Sequence, residues 1–453
     1  MRRLPAAFRR IVPEGAAVLS TLIFGSYLLG LVRDRAFART FGAGAELDAY
    51  NAAFVLPELL LDVLVEAGLA APFIPIFLRL RTGSDPADGD RFARTILTGA
   101  VAVMGISAIV LFFLADATTG LIAPGFTGAQ RELYASLFRV MLVTPILFAA
   151  SLTLGQVLLA EQRFFWYGLA PLLYNAGIIA GTLAFSDALG IYGPAIGAVL
   201  GATIHLGSRF VGLRDSPFRI GLGWSAPRAS LREFLRLMLP KMVSHPVEPM
   251  TFLFFTAVAS GLAAGSVTAV SFARNFQSVP VSLVGVAFAL AVFPALSTAH
   301  AVGDRAGFLR LLWSNLARIA ALTVAAAIGL AIVGGIAIEV LLGGGAFDAD
   351  DVRLTATVLA AFAISVPFES LTHLISRAIY ATRHTLLQVL ASLASLGITV
   401  AATLLLQPGL GIVAIPLGFS IGQAAKVVLL AAALAVRLRV APTSPSAGLS
   451  VPG

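Results

Sequence analysis

Apolar runs long enough to cross a bilayer recur along the chain from about residue 16 to about residue 436. This feature constrains the fold most, because ~20 consecutive apolar residues make one membrane-spanning helix. Only 12% of the residues are charged and 58% are hydrophobic, against about 25% charged in soluble domains. An ordinary cytosolic enzyme is excluded. The expected fold is all-α, a polytopic membrane protein of about twelve transmembrane helices. Spans are expected near 14–32, 49–78, 95–115, 134–160, 165–186, 190–212, 236–262, 267–298, 311–342, 354–381, 386–407 and 410–436.

The net charge of +8 lies mostly between the apolar segments, so it describes topology and not a nucleic-acid partner. Twenty arginines, Arg209 among them, fall in loops on one side, and five (Arg33, Arg35, Arg39, Arg131 and Arg353) fall on the other. Cationic loops stay in the cytoplasm, so both termini are expected there. The basic start MRRLPAAFRR reads as the flank of a retained first helix. The polar stretch 214–235, rich in arginine, glycine and proline, reads as a cytoplasmic linker between six-helix lobes at 1–213 and 236–438, with a polar tail at 439–453. LIAPGF at 121–126 precedes a span with Pro145, and LLGGGAF at 341–347 precedes one with Pro367. The layout repeats more than the letters do. Two such lobes would enclose a central cavity as the default substrate site.

Charged groups inside spans are costly, at ~2.5–3.5 kcal/mol each on insertion scales, and so mark function. In the second span Glu58, Asp62 and Glu66 recur every four residues, which on an α-helix stacks three carboxylates along one face. The ends of that stripe could instead pair with surface arginines. Candidate counter-charges and companions are Arg33, Lys241, Glu248, Arg274 and Lys426. Arg274 is the favoured one, because Pro280 follows it and an unwound backbone there would line a cavity. Lys241 beside Pro240 either faces a cavity or snorkels to headgroups. In the tenth span Glu369, His373 and Arg377 share one face, either as a proton-coupling relay or as a salt bridge within the helix. His205 reads as a helix-packing residue. No P-loop, HExxH or GxSxG motif occurs and there is no cysteine. No catalytic residue, metal site or cofactor is therefore expected, apart from coupling to sodium or protons.

Several stretches resemble the MurJ/MviN family of lipid II flippases, within the multidrug, oligosaccharidyl-lipid and polysaccharide exporter group. They are SYLLGLVRDRAFARTFGAGAELDAYNAAFVLPELLLDVLVEAGLAAPFIPIF at 26–77, LIAPGF at 121–126, LRLMLP at 235–240, SLVGVAFALAVFPALS at 282–297 and SRAIYATRHT at 376–385. The motifs fall in the family's order over about 16–437. The resemblance implies a pair of six-helix lobes that move a polyprenyl-pyrophosphate-linked sugar across the bacterial cytoplasmic membrane by alternating access. A role in peptidoglycan biosynthesis, cell wall and cell shape follows from it. The implied partners are that lipid-linked sugar and membrane lipids, with no nucleic acid and no oligomeric state specified.

Residue by residue, the resemblance places Arg33 and Asp34 at the family's second first-span pair, with Tyr27 where its first arginine stands. Leu61 and Asp62 stand where two arginines are expected, Glu66 is kept, and Asn275 follows Arg274 where the usual arginine would sit one position on. Family members commonly continue into two further helices with a groove for the lipid tail, whereas here the polar APTSPSAGLSVPG follows the twelfth span. A pyrophosphate needs dense positive charge, and this chain has exchanged cations for carboxylates. An alternative function is therefore a cation-coupled exporter of another amphipathic or glycolipid substrate.

Overall fold

The computed structural model describes residues 14–244, 247–382 and 385–440. Helices occupy all twelve expected spans, and no strand of a sheet occurs among the described residues. The chain packs as two compact units, Met1–Thr268 with Glu339–Asp351, and Ala269–Ile338 with Val352–Gly453.

In the first unit α1 (Glu14–Phe41) turns through Gly42 into α2 (Ala45–Leu61). The expected second span continues through a π-helical turn, Asp62–Glu66, into α3 (Ala67–Arg81). Then follow α4 (Ala87–Phe113), the short α5 (Ala115–Ile122), α6 (Gly128–Met141), α7 (Val143–Ala160), α8 (Phe164–Leu189) and α9 (Tyr192–Gly212). Two more helices, α10 (Arg228–Ser244) and α11 (Val247–Ser260), pack with these, α10 against α3 and α11 against α2. Their core is aliphatic and aromatic: Leu69, Phe73, Phe77 and Phe92 close around Phe218 and Phe234. Phe218 belongs to the 214–235 stretch, which lies along the start of α4. Arg94 Nε donates to the Arg219 carbonyl at 2.8 Å, and the Gly223 N–H donates to Thr98 Oγ1 at 2.8 Å.

The seam between α8 and α9 is made by glycine. A Cβ at Gly177 would lie 2.3 Å from Gly201 Cα, and one at Gly181 would lie 2.3 Å from Gly197 Cα. Lipid tails are as apolar as leucine, so helices in a bilayer associate through close backbone approach, which small residues four apart allow.

In the second unit α12 (Ser266–Pro280), whose first turn lies in the first unit, passes through a π-helical turn at Val281–Val286 into α13 (Ala287–Ala301). The unwound backbone expected after Pro280 is not found. A π turn absorbs the proline while keeping backbone groups bonded, which a bilayer requires. Then come α14 (Arg305–Leu341), α15 (Ala349–Ala363), α16 (Ser365–Ala381), α17 (Thr385–Leu410) and α18 (Ala414–Val440). The α15–α16 path bends by 43°. The last two helices fold back at Gly411, whose φ of 53° is left-handed. Their seam again uses small residues, Gly418 against Thr403 and Gly422 against Thr399.

On length and composition alone, seven helical stretches among the described residues could each cross a membrane, or eight with the bent α15–α16 pair. One of them, Leu386–Leu438, holds both α17 and α18.

Candidate functional site

In the first unit a cavity of about 500 Å³ opens among α2, α7, α8 and α9. Glu58 and Asp62 line it, as do Leu61, Tyr174, His205 and Arg209. Pro57 lies one residue before Glu58, and the π-helical turn starts at Asp62. The backbone under the acidic stripe is therefore not one continuous α-helix: from Asp62 it follows the wider π spacing. The side chains of Glu66 and Lys241 lie outside the described residues.

Arg209 is the residue that the sequence reading misplaced. Counted there as a loop cation, it is 1% exposed. Its Nε donates to Ser151 Oγ at 3.2 Å, and its Nη1 donates to the carbonyls of Trp166 and Tyr167 at 2.8 and 2.9 Å. The guanidinium lies over the Tyr167 ring, 5.1 Å from its centroid. Gly155 lies against the same ring: a Cβ there would come within 3.3 Å of a Tyr167 ring carbon. His205 does pack, its ring edge-on to Phe148 with centroids 4.9 Å apart, but it also borders the cavity and shares a 2.7 Å hydrogen bond with Ser151 through Nδ1. The available signal was the spacing. Residues 205 and 209 are one turn apart and so share a helical face.

Arg33 and Asp34 are brought together by adjacency. Arg33 Nη2 donates to Asp34 Oδ1 at 2.8 Å and Nη1 donates to Asn175 Oδ1 at 3.3 Å. Arg33 does not line the cavity with Glu58 and Asp62. Tyr27 is 63% exposed on α1.

A second polar cluster lies inside the second unit. Arg274 makes a two-pronged ion pair with Glu369, Nη1 to Oε2 at 2.9 Å and Nη2 to Oε1 at 2.7 Å. Gln277 joins it, accepting from Arg274 and donating to Glu369 Oε2 at 2.9 Å and to Ser365 Oγ at 3.0 Å. Both charged side chains are buried, and the guanidinium stacks 5.1 Å from the Phe419 centroid. The bond expected within the tenth span, Glu369 to Arg377, is replaced by this pair between α12 and α16. Arg377 lies instead over Phe293, 5.8 Å from its centroid. His373 and Asn275 are half-buried, and Glu248 is exposed on α11.

Asp48, which the sequence reading did not single out, anchors the start of α12. It is 2% exposed and accepts from the N–H groups of Gly265 and Thr268, and from Thr268 Oγ1, each at 2.7 Å. A buried carboxylate here satisfies the orphan donors of a helix N-terminus.

A family model described as "Lipid II flippase MurJ" matches residues 37–447. A protein of Thermotoga maritima named "Probable lipid II flippase MurJ" is 29% identical over 411 residues, covering 90% of this chain and 82% of that one. The fold is similar to a solved structure of a lipid II flippase MurJ in an inward closed conformation, with a TM-score of 0.80, 24% identity, and coverage of 92% of this chain and 87% of that chain. An inward-facing multidrug transporter of the MATE family also matches, with a TM-score of 0.80, 14% identity, and coverage of 93% and 98%.

Proposed function

This chain belongs to the lipid II flippase MurJ family, and from that membership we propose that it carries a lipid-linked cell-envelope precursor of the lipid II kind across the membrane. It is a multi-pass bacterial membrane protein and a transporter, not an enzyme. Its place in the cell is peptidoglycan supply, since that polymer is built from the lipid it moves. The exporter of a different amphipathic substrate is not favoured, because the match to the flippase family runs through nearly the whole chain.

The single observation that carries the reading is this match from 37 to 447. Fixed charges inside both units support it. A chain with 58% hydrophobic residues keeps Glu58, Asp62 and Arg209 around one cavity, and Arg274 with Glu369 in the other unit. Groups this costly in a bilayer persist where a polar cargo or an ion must pass. The finer parts of the reading are an inner-membrane location with both termini in the cytoplasm, alternating access, and coupling to sodium or protons at Glu58 and Asp62.

Reconstitution in vesicles with a fluorescent lipid II analogue tests the function. Analogue in the far leaflet should become accessible to a membrane-impermeant quencher faster than in protein-free vesicles. Equal rates would refute the function. Imposed sodium and proton gradients address the coupling: one of them should raise the initial rate, and Asp62→Asn should abolish the response.

A further inference from the structure

The stretch from Arg219 to Ala226 has no regular secondary structure, yet specific bonds hold it along α4. The Arg219 carbonyl accepts from Arg94 Nε at 2.8 Å, and the Gly223 N–H donates to Thr98 Oγ1 at 2.8 Å. The N–H groups of Ser225 and Ala226 donate to Thr95 Oγ1 at 3.1 and 3.0 Å. Burial alternates along this strap. Gly221 and Gly223 are half-buried and Ile220 is exposed, as are Leu222 and Trp224 at 69% and 68%. An extended chain sends successive side chains to opposite sides. One side of the strap therefore grips the helix, and three large apolar side chains share the other.

What covers that apolar side follows from where the strap lies. The chain carries no charged residue from Thr95 to Ala115, about the 20 residues that one crossing needs. Thr95, Thr98 and Gly99 form the first turn of that stretch, so the strap runs inside the membrane's edge and not beyond it. The Trp224 ring rests on Gly99, where an added Cβ would lie 3.7 Å from Trp224 Cη2. From there the same face of α4 continues through Val103, Ile106, Val110 and Phe113, all exposed. These positions recur every three or four residues, as one helical face requires, and an uncharged exposed ridge on a spanning helix meets lipid. Trp224 closes the end of that ridge. Irregular backbone at this depth needs partners for its polar groups, and the hydroxyls of Thr95 and Thr98 supply them to three N–H groups. Arg219 and Arg228, exposed at the two ends of the strap, place cations at the level of lipid phosphates, and tryptophan is a ring that settles at a bilayer interface.

We propose that this strap is an interfacial anchor: Ile220, Leu222 and Trp224 insert into the phospholipid leaflet on the arginine-rich side of the protein, with Arg219 and Arg228 at its phosphates. A stretch that reads in the sequence as a polar linker thereby joins the membrane-embedded surface. The anchor fixes the depth of α4, to which it is bonded, and of α10, which starts at Arg228. It is independent of the cargo and so of the flippase reading.

Because the chain has no cysteine, a spin label can be placed at one position at a time. Leu222→Cys, Trp224→Cys and, as a reference in a polar loop, Ser84→Cys are labelled in the full chain and reconstituted in vesicles of phosphatidylethanolamine and phosphatidylglycerol. Labels at 222 and 224 should be relaxed more by oxygen, which partitions into lipid, than by a water-soluble nickel complex. The label at 84 should show the reverse. Labels at 222 and 224 that behave like the one at 84 would overturn the proposal. Protection from the nickel complex in native membranes but not in these vesicles would also overturn it, and would assign the face to a protein partner. A second measurement needs no label: lipids brominated near the glycerol end of the acyl chain should quench the native tryptophan emission, and Trp224→Phe should lower the quenched fraction. An unchanged fraction in that variant would remove the ring from the leaflet and sink the anchor.

Discussion

At Arg209 and Arg274 the chain buries two guanidinium groups by different means. Arg274 is neutralised across two helices by Glu369, with Gln277 and Ser365 completing the network. Arg209 is held by a hydroxyl, two carbonyls and a ring. Breaking a buried pair leaves the surviving charge without compensation, which costs about 3–5 kcal/mol. Glu369→Ala should therefore destabilise the protein by that order, read as a lower unfolding temperature in detergent. The double change Arg274→Met with Glu369→Leu should recover most of the loss, because apolar side chains of similar volume need no partner. A double variant as unstable as the single one would show that the network's shape, and not the stranded charge, sets the cost. Both charged residues were legible as intramembrane oddities. Their mutual pairing was not, since 95 residues separate them and helical spacing describes only neighbours on one helix.

Among the elements, the two halves of the chain repeat one layout. Each has a π-helical turn within a proline-bearing span, at Asp62–Glu66 and at Val281–Val286. Each has a broken helix ahead of a proline, after Met141 before Pro145 and after Ala363 before Pro367. Each closes on a helix pair whose seam is built from small residues four apart. The weak letter-level repeat at 121–126 and 341–347 hinted at this, and the elements carry it further. Span positions were readable because hydropathy reports where a helix meets lipid. The π turns were not, because they answer to the packing of neighbouring helices around a proline. At the α8–α9 seam Gly181→Val should lower stability by at least ~1–3 kcal/mol through overpacking, given the 2.3 Å gap to Gly197. Gly30→Ala, with nothing within 4 Å of the added carbon, should leave the unfolding temperature unchanged or slightly raised, since alanine favours a helix interior over glycine. Equal effects at both sites would discount close helix approach as the organising contact.

For the molecule as a whole, the chain's lack of cysteine makes topology directly measurable, since one introduced thiol is then the only label site. In intact cells Thr127→Cys and Gly261→Cys should react with a membrane-impermeant maleimide from outside. Ser84→Cys and Asp304→Cys should react only after lysis. The opposite pattern would invert the orientation read from the arginine count. The amino-acid sequence by itself determined the class: a helical, multi-pass membrane transporter with carboxylates misplaced for lipid contact. Those properties are local, because transfer of ~20 residues into hydrocarbon depends on the residues themselves and on little else. What only the tertiary structure decided is which charges meet. Arg209 became a cavity wall instead of a loop cation, Glu369 paired with Arg274 of another helix, and Asp48 became the anchor of α12. Electrostatic pairing over 95 to 220 residues of chain is set by how helices pack, which no periodicity along one helix encodes.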